Sequence, residues 1–377
     1  RSRLCDVANR GRRFGSSGAA SDCGCALAGE LHQRDAPTRR QRVRPYRDMK
    51  TTSAAALLFF ASVMVCLIGL LVGGGNFQWP WVAGQDAVTA TIIGEIRAPR
   101  SVGAWAAGSL LGLAGAVAQG IFRNPLADPY LLGSSSGAAL AVALCLSAAG
   151  WLGADVAGAA FWGGLLAVGL SGAAFAGALL AVLLTVALAG GVAQGTRLLL
   201  GGVVVGVVLG ALTSFLVFLA PNVLLNMQGF MLGSTALLNW SAVLRMTAIG
   251  AVCVVIAMSL AKPLDALQLG ERTARSLGVP LGRINMAFIV LLAIVTGTAV
   301  AHTGLIAFVG LAAPHVVRAW LPCQHRALLL LSSLTGGLLL LTADVIARWI
   351  FAPVELPVGL LTALIGGGYL LWRMRRV

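Results

Sequence analysis

Apolar stretches of about 20 residues recur along nearly the whole chain, each long enough for a helix rising roughly 1.5 Å per residue to cross about 30 Å of hydrocarbon. A chain patterned in this way folds in lipid. Of 377 residues, 58% are hydrophobic and only 11% are charged, which excludes a soluble domain with a conventional polar surface. No strand-like alternation of apolar and polar residues competes with the long runs, so an outer-membrane barrel is excluded too. The expected class is all-α and polytopic. The formal charge of +14 lies mainly in an N-terminal tail and in short loops, where membrane orientation accounts for it better than nucleic acid does.

Residues 1–48 hold eleven arginines, five acids, no lysine and no apolar run, and they cannot build a core. Met49-Lys50 resembles an ordinary start, a short basic lead before an apolar helix. Residues 1–48 are therefore read as a disordered basic extension outside the native protein, and 49–377 as the folded domain. The seven cysteines form no CxxC pair or disulfide framework; Cys23 and Cys25 lie in the tail.

Ten membrane segments are expected, at about 54–74, 100–121, 131–150, 163–189, 197–219, 241–261, 285–301, 305–320, 327–350 and 357–373. An even number returns both termini to one side. That side collects the basic loops 123–128, 194–197, 262–283, 318–326 and 373–376, so it is read as the cytoplasm. Arg97, Arg100 and Arg348 then fall at outer ends, where positive charge is disfavoured, and each needs a partner. Small residues four apart, Gly108 and Gly112, Gly133 and Gly137, and above all Gly202, Gly206 and Gly210, predict close helix contacts.

The loops carry more specific signals. Gln119 to Pro129 reads QGIFRNPLADP, followed by a Ser/Gly-rich run from Leu132 to Ala139. Its prolines stop one helix and its small residues start the next tightly, which makes it a structured re-entry loop without an assigned role. In the 262–283 connection, Gly270 and Gly278 bracket a helix of about two turns that mixes Leu267, Leu269, Ala274 and Leu277 with Glu271, Arg272 and Arg275. So short an amphipathic helix gains stability by docking, either in a partner's groove or on the membrane surface. The eighth segment is expected to break near Pro314.

Energy has to come from elsewhere. Only Lys50 and Lys262 are lysines, and neither follows the glycine spacing of a phosphate-binding loop. The acids Asp86, Glu95, Asp128, Asp155, Asp265, Glu271, Asp344 and Glu355 fall in loops or near span ends, which weighs against an ion-gradient carrier with a mid-membrane carboxylate. His32, His302, His315 and His325 form no metal-ligand spacing, and His302 is read as a hydrogen-bonded structural residue. After Pro221, the polar residues Asn222, Asn226 and Gln228, with Met227, suit either a gate or an ordinary loop.

Five motifs in order, Arg97-Ala98-Pro99-Arg100, the Arg123 to Pro129 loop, Leu277-Gly278-Val279, the Gly310 to Arg318 span and Glu355-Leu356-Pro357-Val358-Gly359, resemble the permease subunits of iron-chelate and vitamin B12 ATP-binding-cassette importers. The resemblance covers essentially 49–377. It implies a bacterial inner-membrane homodimer of ten-helix subunits, twenty helices in all, with both termini cytoplasmic. It further implies two cytoplasmic ATPase subunits that hold ATP and Mg, a periplasmic substrate-binding protein, and no cofactor or catalytic residue on this chain. By the same resemblance, Arg97, Arg100 and Arg348 dock the binding protein. Leu267, Gly270, Glu271, Arg272, Arg275, Leu277, Gly278 and Val279 couple to the ATPase. The fifth and tenth helices, about 199–219 and 357–372, line the pathway, with Gly202, Gly206, Gly210, Asn226, Met227, Gln228, Leu356 and Pro357 along it. The expected cargo is haem or a ferric siderophore, with cobalamin as the alternative; a gradient-driven secondary transporter is the alternative of another class.

Overall fold

The computed structural model describes residues 46–73, 76–77, 87–151, 160–192, 195–350, 352 and 354–374, all within one compact unit. The basic tail up to residue 45, Asp86, Asp155 and Gln194 lie outside the described residues. Apart from one two-residue antiparallel pair, in which Val72 faces Phe77, the described chain is helical. The main helices are α1 (Tyr46–Leu71), α2 (Ala98–Phe122), α3 (Ser134–Trp151), α4 (Ala160–Leu188), α5 (Gly195–Leu219), α6 (Leu224–Leu232) and α7 (Trp240–Ser259). They continue as α8 (Ala261–Gln268), α9 (Glu271–Ser276), α10 (Leu281–Thr303), α11 (Val309–Trp320), α12 (His325–Ile350) and α13 (Val358–Met374). Seven helices among the described residues are long and apolar enough to cross a membrane, and Ser134–Ala149 and Val358–Tyr369 are shorter apolar helices.

The centre of the bundle is α2. Twenty of its 25 residues are buried, which its seven alanines and five glycines make possible, since little side-chain volume separates it from its neighbours. It packs along α12 over most of its length and also meets α7, α10 and α11. At the crossing with α12, a Cβ on Gly108 would run into the Gly336 carbonyl, and one on Gly112 into Ser332. A second group joins α3 with α4 and α5, and α4 connects it to α10. In contrast, α1, α5 and α7 leave most of their apolar surface uncovered.

α2 is entered through a short helix, Ala87–Thr91, and one π-helical stretch, Ile92–Arg97, with Pro99 in its first turn, where a missing N–H costs nothing. It ends where Arg123 takes a left-handed conformation (φ 50°). α7 begins with an Asn239 cap, whose side-chain oxygen accepts the Ala242 N–H at 2.9 Å.

Two expectations change. Pro314 does not break its helix: it sits inside α11, and the interruption falls at 304–308, between Gly304 (φ 68°) and Phe308 (φ 68°). The Gly310 carbonyl, four residues before Pro314, thereby lacks a helical donor, and it lies against Gly115 of α2, where no Cβ would fit. Residues 221–232 are not a polar loop but a 3-10 turn, Pro221–Val223, followed by α6. The helix expected between Gly270 and Gly278 is found as α9, and a separate helix, α8, precedes it in the same connection.

Candidate functional site

Two ends of α2 organise the molecule. At its N-terminal end, Asp344 of α12 is fully buried and gathers two guanidinium groups. Arg100 Nε donates to Asp344 Oδ1 at 3.2 Å, and Arg100 Nη1 donates to Glu355 Oε2 at 2.6 Å. Arg348 Nε donates to Asp344 Oδ2 at 2.9 Å and its Nη2 to the same oxygen, while Nη1 reaches the Gly69 carbonyl at 3.1 Å and Nη2 the Ser101 hydroxyl at 3.0 Å. The Thr235 hydroxyl donates to Asp344 Oδ1. Arg100 of α2, Thr235 and Arg348 of α12 thus meet on one carboxylate, and Gly69 of α1 and Glu355 join through the two arginines.

This changes the reading of the outer arginines. Arg100 and Arg348 are buried, and the acidic partners they require lie within the chain. Glu355 is the more open of the two acids, its side chain 43% exposed. Arg97 is half-buried, and its Nη1 donates to the Leu70 carbonyl at 3.2 Å. The signal for Asp344 was present in the sequence: Asp344 and Arg348 stand four apart in an apolar helix, the spacing at which opposite charges pair.

Next to this cluster, three chain segments are stitched by backbone bonds. Leu305 N–H donates to Phe230 O at 2.9 Å, Ser234 N–H to Thr303 O at 2.8 Å and Gly359 N–H to Gly233 O at 3.2 Å. Leu356 N–H reaches Ala347 O at 3.4 Å, so Leu356 and Pro357 lead into α13 from the rim of the ion cluster. His302 Nε2 accepts from Arg245 Nε at 3.2 Å. Met227 is buried in the core formed with α3, α4 and α10, whereas Asn226 and Gln228 face outward. Of the glycines on α5, Gly202 is pressed against Leu131 and Leu132, Gly206 lies near Ser136, and Gly210 has open space before it.

At the other end of α2, Arg318 Nη1 donates to Gln119 Oε1, and Gln119 Nε2 donates to the Leu311 carbonyl at 3.3 Å. Arg123 Nη2 donates to Glu271 Oε1 at 2.9 Å, and His325 Nδ1 lies 2.7 Å from Asp265 Oδ1. In the hairpin, Leu267 and Ala274 are buried and anchor α8 and α9 to the bundle. Leu269, Arg272, Arg275, Leu277 and Gly278 are exposed or nearly so, and Val279 is half-buried. Leu267 therefore holds the hairpin in place and does not present itself to a partner. A cleft of 390 Å3 opens beside it, lined by Phe122, Arg123, Leu198, Leu267, Glu271 and Asn285 among others. Gly270 (φ 99°) and Gly278 (φ 77°) make the turns that detach α9.

In the loop between α2 and α3, Tyr130 N–H donates to Asp128 Oδ1 at 2.8 Å, and the Tyr130 hydroxyl donates to Ile306 O at 3.1 Å. Burial pushes the Asp128 carboxyl up from its ordinary range, against the opposing effect of the Tyr130 N–H. Burial also raises the Tyr130 phenol, with the nearby Asp128 charge adding to it, so the hydroxyl remains a donor. Among the described residues, no group of three or more His, Cys, Asp or Glu could hold a metal ion.

Seven long apolar helices among the described residues, a buried ion cluster at one end and an exposed hairpin at the other are the features of a polytopic membrane protein. Residues 57–376 match the FecCD transport family, and the chain belongs to it: it is a membrane permease of that family of ABC importers. It is 34% identical over 327 residues to the hemin transport system permease HmuU of Yersinia pestis, covering 85% of this chain and 96% of that one. It is also 34% identical over 341 residues to the cobalamin import system permease BtuC of Halobacterium salinarum, covering 87% and 89%. A metal-chelate type ABC transporter solved in an inward-facing conformation matches with a TM-score of 0.76 at 28% identity, over 86% of this chain and 100% of that one.

Proposed function

We propose that the chain carries haem or a ferric siderophore inward across the bacterial inner membrane by alternating access, as a homodimer driven by two cytoplasmic ATPase subunits and fed by a periplasmic binding protein. The observation that carries this reading is the α8–α9 hairpin. It stands off the bundle on glycine turns, anchored by Leu267 and Ala274, and turns Leu269, Arg272, Arg275 and Leu277 outward. An exposed leucine pair ringed by arginines suits a protein groove with acidic edges.

The same end of the bundle holds Arg123, Lys262, Arg283, Arg318 and Arg326, which supports placing it in the cytoplasm. The seven long spans, the two shorter apolar helices and α11 support a reading with ten crossings. The uncovered face of α5, with Val203, Val207 and Phe218, supports a neighbouring copy along the pathway. Asp344 weighs against a proton-coupled carrier, because two guanidiniums neutralise it and its oxygens are occupied.

Cobalamin is the alternative cargo, since the hemin and cobalamin permeases stand at the same 34% identity. The test is reconstitution in liposomes with the ATPase and binding protein encoded beside it, measuring uptake of haem, ferric siderophores and cobalamin in parallel. Uptake of one cargo that requires ATP is expected. Uptake without ATP, or none of any cargo, would refute the reading.

A further inference from the structure

The 123–130 loop, the most distinctive motif of the sequence, has no role in the reading so far. We propose that it is a positioning element that holds the ATPase-docking hairpin and the α10–α11 break in fixed register, so that movement of α9 reaches Phe308 and, through it, α13. The inference rests on the importer reading.

The loop is built as a stiff piece. Asn124 Oδ1 accepts the Leu126 N–H at 2.9 Å, Asn124 O accepts the Ala127 N–H at 3.1 Å, and Asp128 Oδ1 accepts the Tyr130 N–H at 2.8 Å. Asp128 O and Tyr130 O then accept from Leu131 at 3.2 Å and Gly133 at 2.9 Å. Three of its backbone N–H groups bond within the loop and two prolines fix φ, which limits the conformations open to it.

Both ends are attached to other parts of the chain. At one end, Arg123 holds Glu271, the first residue of α9, at 2.9 Å. At the other, the Tyr130 hydroxyl holds Ile306 O at 3.1 Å, and the Pro129 ring fills the space where a Cβ on Gly310 would stand. Ile306 lies two residues before Phe308, whose left-handed backbone is strained for a non-glycine residue. The Phe308 side chain lies against Gly366 and Gly367 of α13, where no side chain intervenes.

Magnitude argues for a positional rather than a stabilising role. Arg123 and Glu271 are each more than a third exposed, and such pairs add little to stability. A contact of that kind does little to hold a fold, but it biases where α9 sits against the loop. Movement of the hairpin therefore has a direct route to the helix break without passing through the close-packed α2–α12 core.

The test uses the complete transporter in liposomes, taking up whichever of haem, ferric siderophore or cobalamin the wild type transports, with ATP hydrolysis measured on the same samples. Tyr130→Phe removes one hydroxyl. It is expected to leave assembly and ATP hydrolysis near wild type while uptake per ATP falls about fivefold, the factor a net hydrogen bond supplies. Arg123→Gln is expected to lower the same ratio, and Arg123→Lys, which keeps a cation facing Glu271, to retain most of it. An unchanged ratio in Tyr130→Phe, or Arg123→Lys falling as far as Arg123→Gln, would overturn the inference in a complex that still transports. A wild-type complex without ATP-dependent uptake would instead overturn the importer reading itself.

Discussion

Asp344 ties together several elements of the described chain. It is fully buried and holds Arg100, Arg348 and Thr235 at once. Neutralising it leaves the buried Arg348 without an anion and Arg100 with Glu355 alone, a loss of about 3–5 kcal/mol for a buried pair stripped of one partner. Asp344→Asn is therefore expected to lower the melting temperature of the purified protein sharply, with Arg348→Ala close behind. Glu355→Gln should do less, because its side chain is 43% exposed and solvent replaces much of what it gives Arg100.

Asp128 shows the opposite sign. Burial raises its pKa in the folded state, so the folded protein holds the proton more tightly than the unfolded chain does. Its contribution is most favourable below the ordinary carboxylate pKa and declines as pH rises through the raised value. Asp128→Asn retains an acceptor for the Tyr130 N–H and removes the buried charge. Thermal unfolding of this variant at a series of pH values from 4 to 7, values chosen to span the carboxylate range, is expected to lose the decline due to Asp128 and to be no less stable than wild type at neutral pH.

At the scale of elements, the glycines sort by what faces them. A Cβ on Gly336 would meet the Gly108 carbonyl and the Gly112 backbone, and both belong to a buried helix that cannot retreat. Gly336→Ala is expected to destabilise by about 1–3 kcal/mol, the usual cost of overpacking. Gly210 meets nothing within 4 Å, so Gly210→Ala is expected to be neutral or to stabilise α5 by about 0.5–1 kcal/mol. Parallel melting curves of the two variants decide whether space, rather than glycine as such, sets the outcome.

The long apolar helices could be read from the sequence because length and hydropathy determine them directly. The breaks were harder. Pro314 signals a stop, but α11 accommodates it by leaving the Gly310 carbonyl against Gly115, a contact 195 residues away in sequence that no local rule contains. Phe308, with no turn signature of its own, takes the left-handed conformation instead, held by its packing on Gly366. The outer arginines were visible as anomalies of charge placement. That two of the three turn inward followed from Asp344, whose i, i+4 spacing with Arg348 was legible but whose distance from Arg100 was not.

For the whole molecule, the ion cluster separates two properties that the three arginines would otherwise share. Arg100 and Arg348 are committed to the fold, whereas Arg97 stands half-buried at the same end and bonds a backbone carbonyl. If that end receives a binding protein, Arg97→Glu is expected to weaken docking more at low salt than at high salt while the melting temperature holds. Arg348→Glu is expected to lose both together. Titration of the binding protein at two ionic strengths, alongside melting curves, checks the distinction.

The same cluster also bears on how the chain is made. Arg100 belongs to the second long span, and the carboxylates that neutralise it stand 244 and 255 residues further along. At synthesis rates of about 5–20 residues per second, roughly 12–50 s separate the emergence of that arginine from the arrival of Asp344. Throughout that interval the N-terminal end of α2 carries an uncompensated charge and has to stay in the headgroup region, where a guanidinium remains hydrated. The final seating of α2 against α12 is thus a late event in biosynthesis, since a chain that stops before Asp344 lacks both carboxylates that neutralise Arg100.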